Sequence, residues 1–447
     1  MNYLVFQNGT SLIFKTDLLA SKLETAAILL ARPVPVSPKH YRLLVTEIIF
    51  TPTEAYDRRT GDSIILKPEY LATIIKRARN ERYSIILVHT HPGSEYATAS
   101  AIDRKGEEML FPTLFNRVPG VPHGRLIFGL YGYDSMLRLS AEGDELPLEV
   151  IDVGPLVQRL AKVPEDHFPE SIFDRQIRAF GAAGQQRLES FRVAIVGLGG
   201  LGSVVAQQLV HLGCRSFLLI DNDFLEETNL NRVVGARPTD IGRAKVDIAR
   251  DLIYAVRPSA TIEVLHDTVL RNKVAKNLLE ADIFFCCTDS HGSRAVVAQL
   301  AYQYLLPGFD LGVQIEAKDG KISHITGRVQ MLAPGLACLV CSDLLNPRMI
   351  RIDLMTETQR RLDPYIVGAQ ERQPAVISLN STVASLAVTM YLGAVAGIPV
   401  KARHQIYRAE VGVVRSISSE QNPQCVICSS KGALGRGDEW LLPGRLE

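Results

Sequence analysis

The stretch Val193-Ala-Ile-Val-Gly197-Leu-Gly199-Gly200-Leu-Gly202-Ser203 constrains this chain more than any other. Four apolar residues, Val193 to Val196, predict a buried strand, and Gly197, Gly199 and Gly202 match the G-x-G-x-x-G pattern that turns a strand into a helix. Glycines at such a turn, Gly200 among them, let the backbone approach phosphate groups. The free N–H groups of the helix N-terminus then face the negative charge. A second apolar run, Phe217 to Ile220, ends at Asp221, at the distance where an acidic side chain meets a ribose hydroxyl. Strand, turn, helix, strand and acid in that order predict an α/β nucleotide-binding domain.

At 447 residues the chain exceeds one ordinary core, which predicts two or three domains. Hydrophobic residues at 47% and charged residues at 22% describe a globular protein. A net charge of +1 gives no reason to invoke nucleic acid or an anionic membrane as partner. The N-terminus has no basic segment followed by an apolar one, so no signal peptide is read there. Residues 193–214 and 380–400 are largely uncharged but rich in Gly, Ala, Ser and Thr. Buried core or dimer-interface helices explain both runs better than membrane spans, and a cytoplasmic location is expected.

The seven cysteines do not form a disulfide framework. Cys338-Leu-Val-Cys341 and Cys425-Val-Ile-Cys428 are two C-x-x-C pairs, and four thiolates from two such knuckles make a closed tetrahedral zinc site. That site would clip the C-terminal tail onto the domain core; a redox pair is the alternative. Cys214, Cys286 and Cys287 lie in apolar surroundings and read as packed thiols.

Taken in order, residues 4–14 predict a strand, residues 41–50 another, and Arg58-Arg-Thr-Gly61-Asp a polar turn. Pro68 suits the first turn of a helix whose apolar face is Leu71, Ile74, Ile75 and Ala78. Ser84 to Val88 predict a buried strand that ends at His89-Thr-His91. Residues two apart on a strand share a side, so the two imidazoles can converge on one ion. Ser100-Ala-Ile-Asp103 offers a carboxylate as third ligand, which leaves a fourth position open for water, as in a catalytic zinc site. The same four residues also read as an ordinary helix start, with Ser100 as N-cap. The H-x-E with P-C-x-x-C pattern of zinc deaminases is absent.

Glu24, His89-x-His91 and Ser100-x-x-Asp103 together resemble the JAB/JAMM metalloprotease motif of the MPN family, over residues 1–140. The resemblance implies His89, His91 and Asp103 as ligands of a catalytic zinc, Glu24 as general base and Ser100 as oxyanion stabiliser. Two features depart from the pattern: Glu24 precedes Thr25-Ala26-Ala27 rather than a Thr/Val-Cys-Gly stretch, and the gap from His91 to Ser100 is one residue longer than the common form. Glu47 is the other candidate base. Residues 141–170, acidic and turn-rich at first and then punctuated by Pro155, Pro164 and Pro169, are expected to be a linker.

From Ser171 onward the chain carries Arg175-Gln176, the glycine turn, Asp221, Asn229-Leu-Asn231-Arg232, Lys245 and Thr288-Asp289. Charged groups at the ends of strands favour ATP over a dinucleotide. This set resembles the ThiF/MoeB-type activating enzymes, the adenylation fold shared with ubiquitin-activating enzymes, over about residues 171–430. Residues 171–447 are therefore expected to be a Rossmann-like, doubly wound adenylation domain with a four-cysteine zinc site. The resemblance implies Asp221 on ribose, Asn229, Arg232 and Lys245 on phosphates, Asp289 on magnesium and Arg175 reaching the partner subunit's ATP in a homodimer.

One departure matters: between Cys341 and Cys425 there is no cysteine to take an acyl group as a thioester. Either the reaction stops at the adenylate or a hydroxyl such as Ser378, Ser381 or Thr382 substitutes; N-capping or small-residue packing explains these three equally well. The fused chain is then expected to adenylate the C-terminal glycine of a ubiquitin-like protein and to trim or deconjugate that protein through the JAB-like half, in a ubiquitin-like conjugation system of bacterial type. A conjugating enzyme or a sulfur donor would be a further partner. Sulfur-carrier activation, a scaffold with an inactive JAB half, and a nicotinamide-dependent oxidoreductase are the alternatives.

Overall fold

A computed structural model describes residues 1–162, 170–318, 321–363 and 374–445. The chain divides into two compact units, one of Met1–Asp166 with Gly435–Glu439 and one of His167–Leu434 with Trp440–Glu447.

In chain order the first unit contains β1 (Asn2–Gln7), α1 (Thr10–Leu19), β2 (Ala26–Ser37), β3 (His40–Phe50), β4 (Tyr56–Arg59), β5 (Ile64–Leu66), α2 (Pro68–Glu81), β6 (Ser84–Thr90), α3 (Ala101–Arg117), β7 (His123–Phe128), β8 (Tyr133–Arg138), β9 (Leu146–Val153) and β10 (Val157–Arg159). The main sheet runs β1-β3-β2-β6-β7-β8-β9-β10, and β1 also pairs with β9, so the sheet closes on itself. β4 and β5 form a separate hairpin.

Period-2 alternation sorts the core. Ala27, Leu29 and Ala31 of β2 pack with Phe14 and Leu18 of α1. Ile28 and Leu30 face the other way, towards Ile74 and Ala78 of α2 and Phe111 and Leu114 of α3. Two expectations are corrected here. Residues 4–14 are not one strand: Gly9, at φ 78°, turns the chain out of β1 and into α1. The stretch 141–170 is not a plain linker, because β9 and β10 occupy 146–159 and belong to the first sheet. The acidic turn before it is real, but Leu148, Val150 and Ile151 are fully buried and carry the strand. Pro164 and Pro169 lie outside the described residues.

The second unit contains α4 (Asp174–Ser190), β11 (Arg192–Val196), α5 (Gly200–His211), β12 (Ser216–Ile220), α6 (Lys245–Val256), β13 (Thr261–Leu265), α7 (Asn272–Asn277), β14 (Ile283–Cys286), α8 (His291–Gln303), β15 (Gly308–Lys318), β16 (Lys321–Leu332), α9 (Pro347–Leu354), α10 (Glu357–Leu362), α11 (Ile377–Val395), β17 (His404–Arg408) and β18 (Val413–Ser416). Its sheet order is β13-β12-β11-β14-β15-β16-β17-β18. The strands from β13 through β15 are parallel, and the last three pair antiparallel. Strand order therefore reverses between β11 and β14, which is the switch point where open α/β sheets place their ligands.

The run 193–214 is β11, the glycine turn and α5, not a span. Among the described residues one helix, α11, is long and apolar enough to cross a membrane by length and composition. It packs on α5, β15 and β16, and half of its apolar window is buried.

Candidate functional site

In the first unit, antiparallel pairing of β2 with β6 sets Ala26 opposite His89. Glu24 shares the parity of Ala26 and Ile28, and His89 and His91 share that of Ile85, so all three side chains project on the α3 side of the sheet. Thr90 N–H donates to the Thr25 carbonyl at 3.1 Å and prolongs the pairing to the strand ends. The β4–β5 hairpin holds Glu24 by its backbone: Glu24 N–H donates to Thr60 O at 2.9 Å, and Arg59 Nε donates to Glu24 O at 2.9 Å.

Opposite them, Ser100 begins α3 with a reciprocal cap. Asp103 N–H donates to Ser100 Oγ at 3.1 Å and Ser100 N–H donates to Asp103 Oδ2 at 2.7 Å. The cap aims the Asp103 carboxylate at both imidazoles. His89 Nε2 lies 3.2 Å from Oδ1, His91 Nε2 lies 3.3 Å from Oδ2, and the two Nε2 atoms are 3.3 Å apart. Glu24 Oε1 stands 3.5 Å from His91 Nε2.

Ligand atoms about 2.0–2.1 Å from a tetrahedral zinc sit about 3.3–3.4 Å from one another. The three donors fit that ion. Burial pushes the Asp103 carboxyl up, but hydrogen bonds with His89 and His91 outweigh it and hold the group well below the usual carboxylate range. The hydrogen bond to Asp103 raises His91 against its own burial, and burial raises Glu24 despite the nearby imidazoles. Glu47, the other candidate base, instead pairs with Arg77 at 2.5 Å.

Sequence reasoning missed the support beneath this cluster. Arg125 on β7, 6% exposed in its side chain, bonds Glu107 of α3 at 2.7 Å and Asp134 of β8 at 3.1 Å. Asp134 in turn accepts from Ala99 N–H at 3.1 Å, just before the cap. The loop from His91 to Ser100 is zipped to the following turn by Leu130 N–H on Ser94 O and Tyr131 N–H on Glu95 O, at 2.9 and 2.8 Å. No local signal links these residues, because the contacts span long separations in the chain.

The second unit gathers its charged residues at the β11/β14 switch point. Gly197, at φ 88°, turns beneath the β14 loop, where a Cβ would come within 2.9 Å of Thr288 N. A Cβ on Gly202 would run into the Gly197 carbonyl. Asp221 Oδ2 accepts from Leu198 N–H at 2.5 Å and Oδ1 from Asp223 N–H at 2.7 Å, so the acid also staples the glycine turn. Burial raises its carboxyl, and the Lys245 charge opposes that rise. Lys245 Nζ bonds Asp223 at 2.7 Å. Asn229 Oδ1 accepts from Glu226 N–H at 3.2 Å, and Arg232 Nη1 donates to Thr228 O at 2.6 Å.

Asp289 is exposed at the end of β14. Beside it, Ser290 caps α8, and Arg294, missed from sequence, ties the loop down through Thr288 O at 3.1 Å and Leu311 O at 3.0 Å. Arg175 stands apart, exposed in the first turn of α4, and among the described residues it makes no ion pair or hydrogen bond. Thr382 Oγ1 donates back to Ser378 O at 2.9 Å, the ordinary helical role of such a hydroxyl.

Cys338, Cys341, Cys425 and Cys428 have all four sulfurs within 4.8 Å of one another. The Cys338–Cys425 and Cys341–Cys428 separations are both 3.5 Å, near the roughly 3.8 Å edge of a tetrahedral zinc–thiolate site. Asn422 N–H points at the Cys341 sulfur and Ile427 N–H at the Cys425 sulfur, each at 3.4 Å, as thiolate ligands require. The hydrogen bond with Cys338 lowers Cys428 to about 5. The cluster is compatible with structural zinc. Cys214, Cys286 and Cys287 are buried, and burial raises all three thiols.

The model of the ThiF family matches residues 173–427, more than half of the chain. The chain belongs to the ThiF family. The matched ThiF region contains Arg175, the switch-point residues and three of the four cysteines, with Cys428 one residue beyond its end, and it excludes the His89–His91–Asp103 cluster. Among curated relatives, the molybdopterin-synthase adenylyltransferase of Escherichia coli K12 is 26% identical over 57% of this chain and 95% of its own length. The ubiquitin-like modifier-activating enzyme 5 of Oryza sativa is 29% identical over 35% of this chain. That match spans only 39% of the rice protein. A crystal structure of E. coli MccB with MccA-N7isoASN is similar at a TM-score of 0.46 and 18% identity, covering 58% of this chain and 76% of that one.

Proposed function

We propose that the ThiF unit adenylates the C-terminal glycine carboxylate of a ubiquitin-like protein, and that the first unit, a JAB/JAMM-like zinc protease, trims that protein or removes it from conjugates. The observation that carries the first half is the clustering of Asp221, Arg232, Lys245 and Asp289 around a glycine turn at a sheet's switch point. Asp221 would accept from ribose, Asn229, Arg232 and Lys245 would hold phosphate oxygens, and Asp289 would hold magnesium. A carboxylate oxygen attacks the α-phosphorus, the bond to the β-phosphate oxygen breaks, and pyrophosphate leaves with that electron pair. Positioning and charge stabilisation suffice for this step, and no protein nucleophile is needed. The absence of a cysteine between Cys341 and Cys425 fits an enzyme that stops at the adenylate. Arg175, exposed and without an ion pair among the described residues, suits a finger that works across a homodimer.

The second half rests on the Nε2–Nε2–carboxylate geometry of His89, His91 and Asp103, the residues that would hold zinc. Zinc bound there supplies a water of lowered pKa and polarises the scissile carbonyl. Glu24, buried beside His91, takes the proton from the attacking water and returns it to the leaving nitrogen. The Ser100 hydroxyl donates to the oxyanion.

Intact mass of a candidate ubiquitin-like protein, incubated with and without ATP and magnesium, tests both halves. Tail loss without ATP and gain of an adenylate with it are expected. A wild-type enzyme that supports no ATP–pyrophosphate exchange with any Gly-Gly-ended protein refutes the first half. Persistence of trimming and deconjugation in Asp103→Ala refutes the second. The near full-length match to the E. coli adenylyltransferase favours a second reading, activation of a sulfur carrier. The acceptor of the adenylate, sulfide or lysine, separates the two.

A further inference from the structure

One polar side chain at the glycine turn has no role in the scheme above. Asn380, in the first turn of α11, is 5% exposed. Its backbone N–H donates to Val376 O at 3.1 Å, but its side-chain amide has no hydrogen-bond partner among the described residues. Neither atom of the amide is sealed from solvent, so the group is open to a partner from outside the chain. The amide points at the first residue of α5: a Cβ built on Gly200 would collide with Asn380 Nδ2 and come within 3.3 Å of the Arg232 stem. The N-terminus of α5 carries no side-chain cap, so its first N–H groups are also open to a ligand. Gln208 Nε2 donates to Ser385 Oγ at 2.8 Å and locks α11 in register on α5. The approach of Asn380 to the turn is therefore fixed by packing.

We infer that Asn380 is a further nucleotide contact, whose amide N–H donates to a phosphate oxygen held at the N-terminus of α5. The inference rests on the adenylation reading. It assigns Gly200 a second purpose, since the missing side chain makes room for the amide as well as for the ligand. It also gives α11 a direct hold on the phosphates.

The test compares binding of magnesium with α,β-methylene-ATP, and of adenosine, to the full chain and to its Asn380→Asp and Asn380→Ala variants. Aspartate keeps the shape but replaces a donor by a negative charge. Asn380→Asp is expected to lose on the order of ten-fold or more in affinity for the triphosphate, Asn380→Ala less, and neither is expected to change adenosine binding. Equal losses for adenosine and the triphosphate would mean a purely structural role and overturn the inference. Unchanged binding with a raised KM for the polypeptide carboxylate would also overturn it, in favour of a contact to that substrate. A wild-type chain that binds no nucleotide would instead remove the adenylation reading beneath it.

Discussion

The two metal-competent clusters use their surroundings in opposite ways. The four-cysteine cluster is closed: its sulfurs face one another, backbone N–H groups point at two of them, and the ligands come as two short knuckles. The His89–His91–Asp103 cluster offers only three ligand atoms, drawn from a strand end and a capped helix, with a buried carboxylate, Glu24, beside the position left open. Closure suits holding a fold together, while an open position beside a base suits chemistry. The two should therefore fail differently when damaged.

The largest effect is expected from the closed site. Replacing Cys338 and Cys425 together by serine should lower zinc content by one equivalent and destabilise the ThiF unit, with the thermal midpoint falling by roughly 5–10 °C or more. Metal analysis with calorimetry reads both, and an unmoved midpoint would mean that the cluster is not structural. Asp103→Ala should do the reverse. Loss of peptide cleavage by about 10³-fold or more is expected with the midpoint nearly unchanged, because the cluster lies at the ends of its strands and Ser100 still caps α3.

A pH prediction asks whether the first unit depends on its core independently of the open site. His123 is fully buried, accepts from Ile85 N–H through Nδ1 at 3.0 Å and donates from Nε2 to Val118 O at 3.1 Å. Burial lowers it to about 4, below the unfolded value of about 6.5. The unfolded chain thus binds the extra proton in that window. The contribution to stability, up to about 3 kcal/mol, is complete above pH ~6.5 and is lost as pH falls towards 4. Denaturant midpoints of wild type and His123→Gln at pH 7.5 and 4.5 should converge at the acid end; parallel pH slopes would contradict the assignment.

The smallest effect is expected at Arg125, which reaches the open site only through Glu107 and Asp134. Arg125→Met should cost about 10- to 100-fold in cleavage or zinc affinity, and Arg125→Lys should restore part of it. Loss of the fold in both variants, read by circular dichroism, would assign Arg125 to the core instead.

What the sequence determined by itself was whatever is local. The glycine turn, the two C-x-x-C knuckles, the alternation that sets His89 beside His91 and the Ser100 cap are short-range patterns in which residue type dictates backbone or ligand chemistry directly. Strands β11 and β12 and helix α2 followed from apolar runs and from Pro68 for the same reason. Tertiary structure decided what depends on pairing between distant segments. The β2–β6 register put Glu24 rather than Glu47 beside the imidazoles, the return of β9 to β1 turned an expected linker into part of a closed sheet, and the Arg125 network fixed the cap. The packing of α11 on α5 carried Asn380 to Gly200, 180 residues away in the chain. Such contacts leave no periodicity in the sequence, because each is a meeting of surfaces whose partner is set by the whole fold.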